Sequence, residues 1–232
     1  MSGQQEPGQE EPGQEDQEET GAPGPRRKIA GLRGVCFTSR ILYADPEAAP
    51  HVLEACYAFP DRARTRLAPE GGRPATRRLT YRFGTHFWAV DPGGSQSREL
   101  TGTDQRSAQI ELELRRAVFL WPDGFEWKPA LGGMEAELGP LGRLRATFPA
   151  NQSERPVAVS VLGALGTERQ ALTDLTWAPT GDRLWPTHLV LRYAGEMVWA
   201  EEVLEVVTVT RFVDAWFQPT ELRRASATTS RK

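Results

Sequence analysis

Side chains alternate between apolar and polar with a period of two through much of residues 35–209, and that rhythm restricts the chain to half-buried strands. Val35, Phe37, Ile41 and Tyr43 occupy odd positions, with Arg40 on the other face. Residues 55–67 set Arg62, Arg64 and Arg66 on one face against Ala63, Thr65 and Leu67 on the other. Residues 78–90 alternate from Arg78 to Phe83 and continue as Phe87-Trp88-Ala89-Val90. Thr187, Leu189, Leu191 and Tyr193 line one face before a tight turn at Ala194-Gly195. The chain then runs back over 198–209, with Leu204, Val206 and Thr208 alternating against Glu205 and Val207. The doubled Glu201-Glu202 interrupts this last run and predicts a bulge there. Turn sequences cut the pattern at Glu70-Gly71-Gly72, Pro92-Gly93-Gly94, Pro122-Asp123-Gly124, Thr180-Gly181-Asp182 and Ala194-Gly195-Glu196. Gly163 to Thr167 reads as a hairpin bend and not as a phosphate cradle.

One segment departs from this rhythm. From Gln105 to Leu120 the spacing predicts a helix, with Asp104 as N-cap and Pro122 as its stop. Ile110, Leu114, Ala117, Val118 and Trp121 form its apolar stripe. Ile110, Leu112 and Leu114 also alternate, so a strand stays open as the second reading. Many antiparallel strands with one helix between two strand groups predict a mainly β chain. So large a sheet must curl to hide its apolar face.

The ends differ from the middle. Residues 1–25 hold seven acidic side chains and no Lys or Arg, and Pro7 to Glu11 is nearly repeated by Pro12 to Asp16. That composition buries nothing, so residues 1–27 read as a disordered acidic tail. Residues 28–222 read as the β domain, and residues 223–232 as a frayed end. The net charge is −3 over the whole chain. A mildly basic folded part is no nucleic-acid footprint. No run of 18 apolar residues exists, so no transmembrane segment is expected. Residues 1–25 lack the basic and apolar regions of a signal peptide, which read literally predicts a cytoplasmic protein.

Catalytic constellations are missing from the sequence. His51, in an expected loop, and His86 and His188, in expected strands, match no metal-ligand spacing. There is no Walker loop, no nucleophile elbow and no cysteine with an evident histidine partner. The chain is therefore expected to be no enzyme and to carry no metal or cofactor. Cys36 and Cys56 are either a pair or two small apolar residues in strands, and the second is the expected state. The Arg62, Arg64, Arg66 stripe suits an anionic group, an acidic partner or the protein's own tail. Its plainer reading is a solvated, edge-guarding face. Phe87, Trp88, Trp121 and Trp199 belong to an aromatic set that either fills a core or lines a pocket.

Four motifs in order resemble the LolA-like proteins, outer-membrane lipoprotein-sorting carriers and their relatives. Pro60-Asp61-Arg62-Ala63-Arg64 is similar to their Pro-Asp-Arg-x-Arg strand. Phe83 to Pro92 resembles the next strand and its Trp-x-Tyr-Asp-Pro ending, with Phe83 where Asp is usual and Ala89 where Tyr is common. Trp185-Pro186-Thr187 resembles a Pro-Thr strand opening, and Asp214-Ala215-Trp216-Phe217-Gln218-Pro219 the closing motif. Phe59 stands where the lipoprotein carriers often have a basic residue. The resemblance covers residues 32–220. It implies a curved antiparallel sheet, a half-barrel, with one or two helices covering the open face, and work in the cell envelope. It also implies a monomer that holds a lipid acyl chain or another hydrophobic small molecule. Phe87, Trp88, Ile110, Leu114, Trp121 and Trp199 are the expected lining or lid, with Arg62, Arg64 and Arg66 as contacts for an anionic group. The alternative is an interaction module with a filled core, whose acidic tail or sheet edge meets a protein partner.

Overall fold

The computed structural model describes residues 34–58, 61–73, 78–94, 96–150, 154–163, 165–181 and 183–220. The expected tail and frayed end, together with Phe59 and Pro60 of the first motif, lie outside the described residues. The chain forms β1 (Gly34–Tyr43), β2 (His51–Ala58), β3 (Arg62–Pro69), β4 (Arg78–Phe83), β5 (His86–Val90) and β6 (Arg98–Glu99). Helix α1 (Gly102–Phe119) follows. Then come β7 (Lys128–Ala130), β8 (Gly133–Glu137), β9 (Arg143–Thr147), β10 (Ala158–Leu162), β11 (Glu168–Thr180), β12 (Arg183–Tyr193) and β13 (Glu196–Val209). The run expected over 55–67 is thus two strands, because the chain folds back between Ala58 and Arg62 and pairs them directly.

All strands join one 13-stranded antiparallel sheet in the order β6-β5-β4-β3-β2-β1-β13-β12-β11-β10-β9-β8-β7. Two meanders meet in the middle, where β1 pairs with β13. Their outer ends, β6 and β7, are joined only through α1. Twelve strand spacings would separate those edges by about 58 Å in a flat sheet. An 18-residue helix spans about 27 Å. The sheet curls and stays open, and α1 crosses its concave face.

Helix α1 begins at Gly102, three residues before the expected start, with Thr101 at the N-cap. Asp104 lies inside the first turn, where its charge suits the helix dipole. Ile110, Leu114, Ala117 and Val118 are buried as the stripe requires, and the helix packs on β10, β11 and β12. Phe119 also turns inward and stacks on Phe37, with ring centroids 3.8 Å apart.

Two charged residues of α1 are buried with the stripe. Arg115 Nη1 donates to Glu201 Oε2 at 2.6 Å, and Arg115 Nε donates to Glu111 Oε1 at 3.2 Å. The guanidinium is 2% exposed and the Glu201 side chain 0%. Burial works against the charge on Arg115, but Glu201, followed by Tyr57 and Glu111, more than restores it and raises its pKa. Glu113 is likewise buried and accepts from Arg82 Nη1 at 2.5 Å.

The expected bulge lies elsewhere on β13. Glu201 and Glu202 pair regularly with Ile41 and Arg40, whereas Thr38 opposes Glu205 and Ser39 opposes Val203, leaving Leu204 as the extra residue. A second extra residue, Val198, falls between the partners of Leu191 and Arg192. The reason is the phase of the inner face. Glu201 must point inward to reach Arg115, and the bulge at Leu204 then lets Val206 face the core beside Val203. Leu204 is exposed as a result.

Cys36 and Cys56 are directly opposed on β1 and β2 with Cα atoms 4.0 Å apart, and they form a disulfide. This corrects the expectation of two separate thiols. Neighbouring strands bring two residues 20 positions apart into cross-strand contact, which spacing alone did not reveal.

Two stability predictions follow from these contacts. Reducing the disulfide, or replacing both cysteines by alanine, is expected to lower stability by about 2–4 kcal/mol in urea unfolding. Arg115→Ala strands a buried carboxylate and is expected to cost about 3–5 kcal/mol, whereas Arg115→Met with Glu201→Leu recovers most of the loss. An Arg115→Ala protein as stable as the wild type would show that the pair does not seat the helix.

Candidate functional site

Helix α1 packs on β10, β11 and β12, where Val159, Val161, Leu172 and Leu189 are fully buried, and its Phe119 reaches Phe37 of β1. Between Asp104 and Arg115 it also lines a cavity of about 530 Å³. Ile41 of β1, Leu53 of β2, Leu67 of β3, Leu112 of α1 and Trp199 of β13 give it an apolar floor. Thr65, Thr80, Ser107 and Gln170 add uncharged polar groups. The volume falls in the range of ligand pockets, about 300–1,000 Å³. A shallower groove of about 300 Å³ on the convex face runs over the disulfide beside Arg64, Arg66 and Glu205. The larger cavity is the better candidate, because it lies between helix and sheet and has the greater volume.

Charge surrounds the cavity in matched pairs. Arg115 closes one end, its guanidinium 4.8 Å from the Trp199 ring centroid. Arg98 bridges Asp91 at 3.2 Å and Asp104 at 3.5 Å, tying the strand that follows β5 to the first turn of α1. Arg78 stands exposed at the mouth. The Tyr43 phenol is pushed up by burial and by the Glu111 carboxylate, with Arg78 opposing.

Of the six expected lining residues, Trp199 lines the cavity. Phe87 is in the core at 1% exposure, while Trp88, the next residue, is on the convex face and stacks on His86. Strand alternation forbids both from facing one hollow. Ile110 and Leu114 lie in the packed stripe of α1. The Trp121 indole donates to the Glu154 carbonyl at 3.0 Å and its ring packs on Trp127. Arg62, Arg64 and Arg66 lie on the convex face, across the sheet from the cavity. Arg62 pairs with Asp214 at 3.1 Å, Arg64 lies over Tyr81, and Arg66 pairs with Glu54.

Three motifs of the resemblance meet in space. Arg62 of the first lies over the Phe83 ring of the second at 5.1 Å and holds Asp214 of the last. The 3-10 turn Asp214–Phe217 packs on β3 and β4 and buries Phe217 completely. Phe83, in place of the usual Asp, is a platform for Arg62. These motifs fasten the end of the chain to the sheet and do not line the cavity.

Reading the sequence missed Arg115, Glu111, Arg98 and the uncharged polar lining. A signal for the first two existed: Glu111 and Arg115 are four apart on the helix, and Glu201 breaks the alternation of its strand. His51 opens β2 instead of lying in a loop, and its ring Nδ1 is 2.9 Å from the Ala49 carbonyl oxygen. His86 contacts Glu99 at 2.7 Å, and His188 lies within β12. Among the described residues no group of three or more His, Cys, Asp or Glu side chains is placed to hold a metal ion, and no helix is long and apolar enough to cross a membrane.

No protein-family model matches the chain, and no curated protein does. Solved structures do. A DUF1329 family protein from Desulfovibrio piger superposes with a TM-score of 0.52 at 10% identity, over 83% of this chain and 92% of that one. A LolA superfamily protein from Nitrosomonas europaea superposes with a TM-score of 0.49 at 10% identity, over 82% of this chain and 92% of that one. At such identity the likeness is one of fold: the chain shares an open antiparallel sheet with the DUF1329 family protein.

Proposed function

We propose that this chain is a non-enzymatic binding protein that holds a lipid or another apolar ligand between α1 and the concave sheet. The observation that carries this reading is the cavity of about 530 Å³ with its apolar floor. Apolar surface that a ligand buries there gains about 25 cal/mol per Å², so binding needs no covalent step. Trp199 is the aromatic contact for the ligand. The first turns of α1 act as the lid. Most of their side chains are exposed, and the Arg98–Asp104 contact links them to the sheet edge.

An oxidising compartment such as the cell envelope suits the Cys36–Cys56 disulfide and is what the motif resemblance to LolA-like proteins implies. The packed half of the hollow favours the second reading, an interaction module with a filled core. The open half favours the carrier.

Mass spectrometry of an organic extract of the purified protein is expected to show a co-purifying apolar molecule. The fluorescent probe N-phenyl-1-naphthylamine is expected to bind the delipidated protein. Ala108→Trp places an indole in the cavity and should weaken the probe by about tenfold or more with the circular dichroism unchanged. An empty extract and a probe that stays dark would defeat the proposal.

A further inference from the structure

The charges that line the cavity are paired, with one exception. Its two carboxylates are engaged: Asp104 lies 3.5 Å from Arg98, and Glu111 accepts from Arg115 at 3.2 Å. Arg98 and Arg115 are each shared with a second carboxylate, Asp91 and Glu201. Arg78 stands exposed at the mouth. Among the described residues its side chain has neither an ion pair nor a hydrogen bond.

The sheet register sets hydroxyls beside this cation. Arg78 and Thr80 share a face of β4, because residues two apart on a strand point the same way. Thr65 of β3 is the direct cross-strand partner of Thr80, and Leu67 that of Arg78. Thr65 is thereby a diagonal neighbour of Arg78, a separation that a long side chain spans. Among the described residues no side-chain hydrogen bond engages either threonine. One cation and two hydroxyls therefore form a contiguous patch. From Arg78 the row continues across the sheet through Leu67 to its partner Leu53 on β2, so the charged mouth leads directly onto the apolar floor.

We infer that the ligand is an anionic amphiphile, whose singly charged head meets Arg78, Thr80 and Thr65 at the mouth while its apolar chain runs over Leu67 and Leu53 toward Trp199. This deepens the carrier reading above and rests on it. The hydroxyls donate to a carboxylate as well as to an alcohol, so the selection lies with Arg78, which compensates one negative charge. A cationic head would face Arg78 with both lining carboxylates already held by other guanidinium groups.

The test displaces N-phenyl-1-naphthylamine from the delipidated full chain with dodecanoate or with 1-dodecanol at pH 8. The readout is the dodecanoate-to-dodecanol affinity ratio of each variant against the wild type, in which the unequal partitioning of the two chains into any apolar site cancels. Arg78→Gln should lower this ratio by about fivefold. Arg78→Lys, which keeps the charge, should retain most of it. Arg64→Gln removes the same charge from the convex face, across the sheet, and should leave the ratio unchanged. A ratio that Arg78→Gln does not move, or that Arg64→Gln lowers as much, overturns the inference while the carrier reading stands. Failure of the probe to bind at all overturns both.

Discussion

The pairing of the first strand with the last governs this structure. β1 lies against β13 in the middle of the sheet, so the two meanders extend away from each other and their free ends become opposite edges. The chain can pass from β6 to β7 only by crossing a face. α1 makes that crossing, and a curled sheet brings the edges within its reach. The hollow, the helix inside it and the cavity beside the helix all follow from this one antiparallel contact.

A helix laid across a concave sheet needs a seat as well as an apolar stripe. The seat is the Arg115–Glu201 pair, enclosed by Trp199 and Phe37. A buried ion pair of this kind contributes little net stability, because desolvation offsets most of the attraction. It is costly to break, and it specifies one position for the helix. The same cluster leaves Ser39 Oγ, Tyr57 Oη and the second Glu201 oxygen without hydrogen-bond partners. Burial pushes the Tyr57 phenol far above its usual range and keeps it protonated. A polar core of this sort favours specificity of packing over maximal stability, and it explains why the inward side of α1 includes charged residues.

The cavity results from unequal filling. Over β10–β12 the space beneath the helix is packed with aliphatic side chains. Over β1–β4 the facing residues include Thr65, Thr80 and Arg78, which do not close it. The aromatic surplus went elsewhere: Trp121, Trp127 and Phe148 build a cluster beyond the end of α1, and Phe212, Trp216 and Phe217 another near the chain's end. The hollow is therefore half filled and half open. The arginine stripe belongs to the outside of the sheet, where its members stack on aromatic rings or pair with carboxylates.

Local chemistry determined the elements. Period-two alternation predicted β1, β3–β5, β12 and β13 but did not mark out β6–β11, Ala194-Gly195 and Thr180-Gly181 predicted hairpin turns, and one 3.6-residue stripe predicted the helix. Ala194 and Gly195 both take positive φ, as a tight two-residue hairpin turn requires. These features depend on neighbours in the chain and are legible there. Whether the cysteines were bonded depended on β1 and β2 meeting in register. Which tryptophan met the cavity depended on strand phase, and the bulges at Val198 and Leu204 set that phase on β13. Arg115 of α1 turned inward because Glu201, 86 residues beyond it, arrived opposite, and Glu113 because Arg82 did. Alternation and spacing are properties of a segment, whereas a cavity and a buried ion pair belong to the space between segments. The fold class was therefore decided by the sequence read locally, and the candidate site by the tertiary structure that brought distant strands and one helix together.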